Sequence, residues 1–226
     1  MLSDDRGMAR TRDLNDSIVA VIGATGGLGT PITSTLEARG ATVIRAGRSG
    51  DVDIVVDLRD SRSGDDLVTY ANEQHGRLDG VIVAAGIVAF GDLDTTDDVV
   101  VEELFLTNSM GPIWLAARVE SALAESAGFF VNVSGVVAET PMPGMAAYSA
   151  SKAAAAAALT AIAKEWRRKK IAVTDVRPPH TETGLATRPL AGTAPDMPEG
   201  LAPATVAERI VTAIEAGERE VAGDDF

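Results

Sequence analysis

The sequence predicts a doubly wound α/β fold, a parallel sheet of about seven strands between two layers of helices, and three observations carry that prediction. Short apolar runs alternate with helical periods along the chain. Those runs are apolar on both faces, as in GVIVAAG at 80–86, which suits strands buried between helix layers. Hydrophobic residues make up 46% of the 226 but aromatic residues only 4%, so Ala, Val, Leu and Ile supply the core, and they pack helices closely on a Val/Ile-rich sheet.

Residues 1–16 (MLSDDRGMARTRDLND) are charged and aperiodic and read as a disordered tail or leader, leaving 17–226 as one domain. SIVAVIG, from Ser17, is a first strand that runs into glycine; Leu28 to Arg39 is helical and ATVIRAG is a second strand, together a βαβ opening. DIVVDL (53–58) is a third strand, Asp65 to His75 a polar helix and 80–86 a fourth strand. One long helix is expected from about Val99 to Glu125, then a strand at 129–135 (FFVNVSG), a second long helix from Ala146 to Lys169 and a strand at 171–178. Pro178 and Pro179 end that strand because proline donates nothing to a ladder. The stretch from His180 to Ala202 lacks an apolar period and is long for a connection in a compact domain, which suggests a lid. Ala204 to Ala216 is a last helix and REVAG at 219–223 a short final strand. Alternating β and α with right-handed crossovers is the three-layer pattern of a Rossmann fold.

The formal net charge of −13 repels phosphate backbones and anionic lipid, so neither nucleic acid nor a membrane is expected as a partner. There are no cysteines, which removes disulfides, thiolate nucleophiles and Cys-held metals, and only His75 and His180 supply imidazole. No metal site is expected from so sparse a ligand set. His75 closes a helix, where a partial positive charge suits the dipole. No apolar run approaches the roughly 18 residues of a membrane span and the polar start lacks a secretory signal, so a cytoplasmic location is expected.

Gly23, Gly27 and Gly29 (GATGGLG) stand between the first strand and first helix, where glycine permits a tight turn and lets a pyrophosphate reach backbone N–H groups at the helix N-terminus. NAD-binding versions of this unit place a carboxylate at the end of the second strand to bind the ribose 2′-OH. Here that place reads Arg45-Ala46-Gly47-Arg48-Ser49. Arg48 offers a planar guanidinium to a 2′-phosphate, which points to NADP(H); the plain alternative is a solvated turn arginine. Asp57, closing the third strand, can accept from an adenine amino group.

Tyr148 and Lys152, in Tyr-Ser-Ala-Ser-Lys, are four apart on one helix and share a face. A nearby ammonium favours the phenolate and lowers a tyrosine pKa from about 10, so Tyr148 can exchange a proton with a carbonyl or alcohol oxygen while hydride moves to or from a nicotinamide. The clusters of Asp at 92–98 read as a solvated loop and helix start, and no Gly-x-Ser-x-Gly elbow is present.

Taken in order, the GATGGLG loop, the AAG after strand four, Asn108 in the long helix and Tyr148 with Lys152 resemble the motifs of the short-chain dehydrogenase/reductase family, over about residues 17–226. That resemblance implies seven strands, Tyr148 as proton donor or acceptor, Lys152 also on the nicotinamide ribose and Asn108 positioning a water in a proton relay. It implies a cofactor site of Gly23, Thr25, Gly27, Leu28, Gly29, Arg48, Asp57, Leu58, Ala84, Ala85, Gly86, Tyr148, Lys152, Pro178 and Thr183. It also implies homodimers or homotetramers formed through the two long helices, for which the small face of Ala153 to Ala158 leaves room.

Two departures stand out. Ala84 occupies the family's Asn position in the motif after strand four. Gly135 occupies the position of the family's catalytic serine, about thirteen residues before the tyrosine. Adjacent Ser134 is the candidate replacement, although neighbouring strand residues face opposite ways; Thr140 or a water are others. Loss of one such donor costs on the order of 3 kcal/mol in comparable sites. His180 sits in the segment that follows strand six and reads as a surface loop histidine.

The resulting expectation is an NADPH-dependent reductase of a ketone or aldehyde, reversible toward the alcohol. Its competitors are a non-catalytic NADP(H)-binding sensor or scaffold, favoured by the missing serine, and an isomerase, epimerase or dehydratase on the same fold. The substrate pocket would be walled by 87–98, 136–147 and 180–202, whose Val136, Met142, Met145, Leu185 and Leu190 favour an apolar carbonyl compound.

Overall fold

A computed structural model describes residues 11–226. Seven strands form one parallel sheet: β1 (Ile18–Ile22), β2 (Thr42–Gly47), β3 (Ile54–Val55), β4 (Gly80–Val83), β5 (Phe129–Val133), β6 (Ala172–Val176) and β7 (Glu220–Val221). Their order is β3-β2-β1-β4-β5-β6-β7, each neighbour parallel. The sheet grows one way from β1 to β3 and the other way from β4 to β7, so a crevice opens beyond the carboxyl ends of β1 and β4.

Six α-helices cover the two faces: α1 (Gly29–Ala38), α2 (Ser63–His75), α3 (Asp98–Phe105), α4 (Gly111–Ser126), α5 (Ala146–Trp166) and α6 (Pro203–Ala216). Alternation along the strands divides the core. Ala20, Ile44, Val81, Phe130 and Val173 pack with α2, α4 and α5. Val19, Val21, Val43, Ile82, Val131 and Val176 pack with α1 and α6. Every residue of β1 and β4 is buried, which is why those runs are apolar throughout.

Several boundaries differ from expectation. The strands are shorter than their apolar runs, because chain past the sheet's carboxyl edge bends into the site: β4 ends at Val83 and β5 at Val133. The helix expected from Val99 to Glu125 is two helices joined by a π-helical turn, Leu106–Met110. Pro112, in the first turn of α4, explains the break, since it has no N–H to donate four residues back, to Asn108. Residues 11–16 were expected in the tail, yet they pack on the domain: Leu14 is buried in the α1/α6 core, and Arg12 Nη2 donates to the Ala127 carbonyl at 2.9 Å and lies over the Phe129 ring. Burial of that one leucine outweighs the polar composition around it. The remainder of the expected tail, 1–10, lies outside the described residues. No helix among the described residues is long and apolar enough to cross a membrane.

Candidate active site

The first half of the crevice is made by the turn after β1. No acidic residue and no side-chain cap stands at the start of α1; Thr30 N and Ile32 N donate to the Gly26 and Leu28 carbonyls at 3.0 and 3.2 Å and Pro31 has no N–H, so an anion there meets the glycine turn rather than the helix's later N–H groups. Leu28 is buried beneath that turn, and Thr25 Oγ1 donates to the Ser49 carbonyl at 3.3 Å, joining the glycine loop to the turn after β2. Arg48, in the same turn, is exposed, and its charge acts on Asp57. Asp57 accepts from Arg59 Nη2 at 2.7 Å, and that guanidinium holds its carboxyl below the usual carboxylate range. Leu58 is buried beside it.

The turn after β4 closes the crevice. Ala84 continues the ladder by donating to the Ile22 carbonyl at 2.9 Å, and Ala84 and Ala85 are half-buried. At Gly86 a Cβ would stand 3.1 Å from Lys152 Nζ and 3.2 Å from Asn108 Oδ1. Glycine there lets the ammonium, the amide and the main chain converge on one point.

Asn108 is held in the π-helical turn by three side-chain bonds. Its Oδ1 accepts from the Ile87 N–H at 3.0 Å, and its Nδ2 donates to the Ile87 carbonyl at 2.9 Å and to Ser151 Oγ at 3.1 Å. Ser151 Oγ in turn donates to the Tyr148 carbonyl at 2.7 Å. Asn108 thus ties the 84–87 turn to α5. Ser151 was not singled out from the sequence, although its place between Tyr148 and Lys152 in the same short motif was a signal.

Tyr148 and Lys152 are both buried on α5. Lys152 Nζ donates to the Val133 carbonyl at 2.9 Å, and burial pushes its pKa down to about 8, opposed by Asp175. Burial pushes the Tyr148 phenol up to about 12, the reverse of the lowering expected from a neighbouring ammonium. Taking a phenolate out of water is the cause of that rise.

Ser134 is turned toward the neighbouring strand. It is fully buried, and its Oγ contacts the Val176 carbonyl at 3.4 Å, on the next strand. Gly135 has φ +84°, a left-handed conformation that a serine tolerates poorly, and this turn carries the chain off the strand. Thr140 is exposed on the turn beyond. The structure therefore brings Lys152 and Asn108 together at Gly86, with Tyr148 one helical turn away on α5, while the Ser134 hydroxyl is turned to β6 and Thr140 is exposed.

The 180–202 segment covers the site. Leu190 N donates to the Val88 carbonyl at 2.7 Å and Phe90 N to the Ala191 carbonyl at 2.9 Å, while Leu185, Ala186, Ala191 and Ala194 pack against a cluster containing Val88, Phe90, Met145 and Tyr148. The cavity left beside Tyr148, also lined by Ala89, Leu93 and Leu104, is about 10 Å³, room for about one water. Pro178 accepts from the Val136 N–H at 3.0 Å, and Thr183 lies with its backbone against Gly27. Of the apolar residues expected in the pocket wall, Met145 is buried, Val136 and Leu185 are half-buried, and Met142 and Leu190 are exposed at its rim. His180 Nε2 lies 3.2 Å from Glu182 Oε1, which also accepts from Gly200 N at 2.8 Å, so this histidine serves the base of the loop. Among the described residues no group of three His, Cys, Asp or Glu side chains could hold a metal ion.

Comparison with known proteins gives consistent relatives. The chain is 29% identical over 240 aligned residues to the dehydrogenase/reductase SDR family protein 7-like of Anopheles gambiae, covering 93% of this chain and 75% of that one. It is also 29% identical over 206 residues to an uncharacterized oxidoreductase of Methylorubrum extorquens, covering 83% of this chain and 82% of the relative. In fold it matches a short-chain dehydrogenase of Burkholderia cenocepacia solved with NADP (TM-score 0.83, 23% identity, 94% and 90% of the two chains). It likewise matches a 3-ketoacyl-(acyl-carrier-protein) reductase of Brucella melitensis solved with NADH (TM-score 0.82, 20% identity, 94% and 99% covered). The family model described as short chain dehydrogenase matches residues 17–191. The match runs from β1 into the covering loop, and on it the chain belongs to the short-chain dehydrogenase family of oxidoreductases.

Proposed function

We propose that this protein is an NADP(H)-dependent reductase of ketones or aldehydes, reversible toward the alcohol, with Tyr148 as the proton-transfer group. The observation that carries the reading is the convergence of Lys152 Nζ and Asn108 Oδ1 on Gly86, one helical turn from Tyr148. The uncapped start of α1 and the space kept free by Gly86 fit a dinucleotide, which would lie along Gly23, Thr25, Gly27, Leu28 and Gly29, past Ala84, Ala85 and Gly86, to Pro178 and Thr183. Leu58 and Asp57 would flank its adenine, and exposed Arg48 would pair with a 2′-phosphate.

When bound, the nicotinamide supplies or takes a hydride. Tyr148 gives its phenolic proton to the carbonyl oxygen in reduction and takes it back in oxidation. At neutral pH the phenol carries the proton that reduction requires, and the Lys152 ammonium stabilises the phenolate left behind, which lowers the cost of giving that proton up. Asn108 keeps the 84–87 turn fixed against α5 so that the acid and the reacting centre stay in register. The 180–202 segment moves aside to admit substrate, then excludes water. The apolar wall of Phe90, Met145 and Leu185 favours an apolar carbonyl compound. The reading includes a homodimer or homotetramer through the outward face of α5, where Ala157 is exposed and Ala153, Ala154 and Ala158 are half-buried.

The second reading, a cofactor-binding sensor or scaffold, draws on Gly135, which has no hydroxyl to offer a carbonyl. Product analysis separates the two. The reductase forms one alcohol per NADPH consumed, whereas a sensor binds NADPH and consumes none against any carbonyl compound.

A further inference from the structure

Among the described residues, three of the four buried side-chain atoms without a hydrogen-bond partner belong to Asn132 (Nδ2), Ser149 (Oγ) and Asp175 (Oδ1), on β5, α5 and β6, the elements around Lys152. Unpaired polar atoms are costly in a core, so such a group calls for a physical reason. Asn132 and Asp175 are direct partners in the β5–β6 register. Phe130 and Val173, two residues before them, pack on the α2/α4/α5 face, so alternation places Asn132 and Asp175 on the face that α5 covers. The next residue of β5, Val133, accepts the Lys152 ammonium.

Asp175 is also fixed from its other side. Its Oδ2 accepts from Arg177 Nε at 2.6 Å, and Arg177 is held by Glu139 and by Glu220 Oε1 at 3.1 Å. One carboxylate oxygen is thus locked to a guanidinium while the other is left free beneath the catalytic helix.

From this geometry we infer that Asp175 is a positioning residue of the site, a buried carboxylate on β6, anchored by Arg177, that keeps the Lys152 side chain in its ammonium form against β5. The inference rests on Lys152 serving Tyr148, as proposed above. An isolated buried ammonium tends to lose its proton, and a nearby opposite charge opposes that; Asp175 acts on Lys152 in this sense, offsetting part of the effect of burial. The charged or titratable groups facing Lys152 are few. Tyr148 precedes it on α5, and Asp175 and Arg177 lie on or just past β6, with Glu139 bound to Arg177. The π-helical turn and β5 carry no titratable residue. The carboxylates Glu103 of α3 and Glu120 of α4 are engaged by Arg59 and Lys169.

The chain has four lysines, and only Lys152 is buried, so its ammonium can be followed alone by NMR of ε-carbon-labelled lysine during a pH titration of the cofactor-free, full-length protein. In Asp175→Asn the Lys152 midpoint is expected to move toward acid by about tenfold or more in ionisation constant, and in Asp175→Glu to return toward wild type. If the Asn variant does not fold, the smaller Asp175→Ser carries the same comparison. A midpoint unmoved in the neutral variants overturns the role of Asp175. That outcome is separable from the catalytic reading, because Tyr148→Phe then still abolishes turnover; normal turnover in Tyr148→Phe defeats the catalytic reading instead.

Discussion

Burial acts on Tyr148 and Lys152 in opposite senses, and both effects reach the stability of the fold. The phenol, held up to about 12, adds stability below its unfolded value of about 10 and loses it as pH climbs through the folded value. The ammonium, pushed down to about 8 from 10.5, costs stability below pH 8, and that cost fades as pH rises toward 10.5. Lys152→Met is therefore expected to remove turnover and to flatten the rise of stability between pH 8 and 10.5; urea unfolding across pH measures it. Ser134→Ala is expected to leave turnover within about twofold of wild type, since a buried hydroxyl against the Val176 carbonyl touches no substrate. The Tyr148–Lys152 spacing was legible in the sequence because helical geometry depends on spacing alone. The direction of the phenol's shift was not, because desolvation depends on what a distant loop lays over the residue.

The element that most differs from its sequence reading is the helix around Asn108. An apolar period running from Val99 to Glu125 reads as one rod, and the Gly111-Pro112 pair was the available sign of a break. The resulting π-helical turn sets the Asn108 amide across the Ile87 peptide, bonding both its N–H and its C=O. Asn108→Ala leaves both groups without that partner, and a loss of about 2–3 kcal/mol is expected in denaturant unfolding. A loss under about 0.5 kcal/mol means the 84–87 turn is held by something else. Strand positions were readable from continuous apolar runs, while their ends were not, because β4 and β5 yield to functional turns that keep an apolar composition. The lid was legible only as an aperiodic stretch; its closure over Tyr148 depends on contacts with residues 88–90, about a hundred positions away in the chain.

Across the whole molecule, the parallel order and the crevice beyond β1 and β4 follow from alternation and right-handed crossovers, and that much was legible without a structure. The place of residues 11–16 was not, since Leu14 finds its core only once α1 and α6 are assembled. Ala157→Glu places a charge on the outward face of α5 and is expected to convert an oligomer to monomer by light scattering, with the fold retained; an unchanged mass moves the contact elsewhere. The central claim is that this fold reduces carbonyl compounds through Tyr148. The most direct test follows NADPH consumption over a panel of apolar ketones and aldehydes, comparing wild type with Tyr148→Phe and repeating the series with NADH. Turnover with NADPH that is weaker with NADH and falls by about a hundredfold or more in Tyr148→Phe, with NADPH binding unchanged, is the predicted result. Equal turnover in wild type and Tyr148→Phe, or none in wild type despite tight NADPH binding, contradicts it.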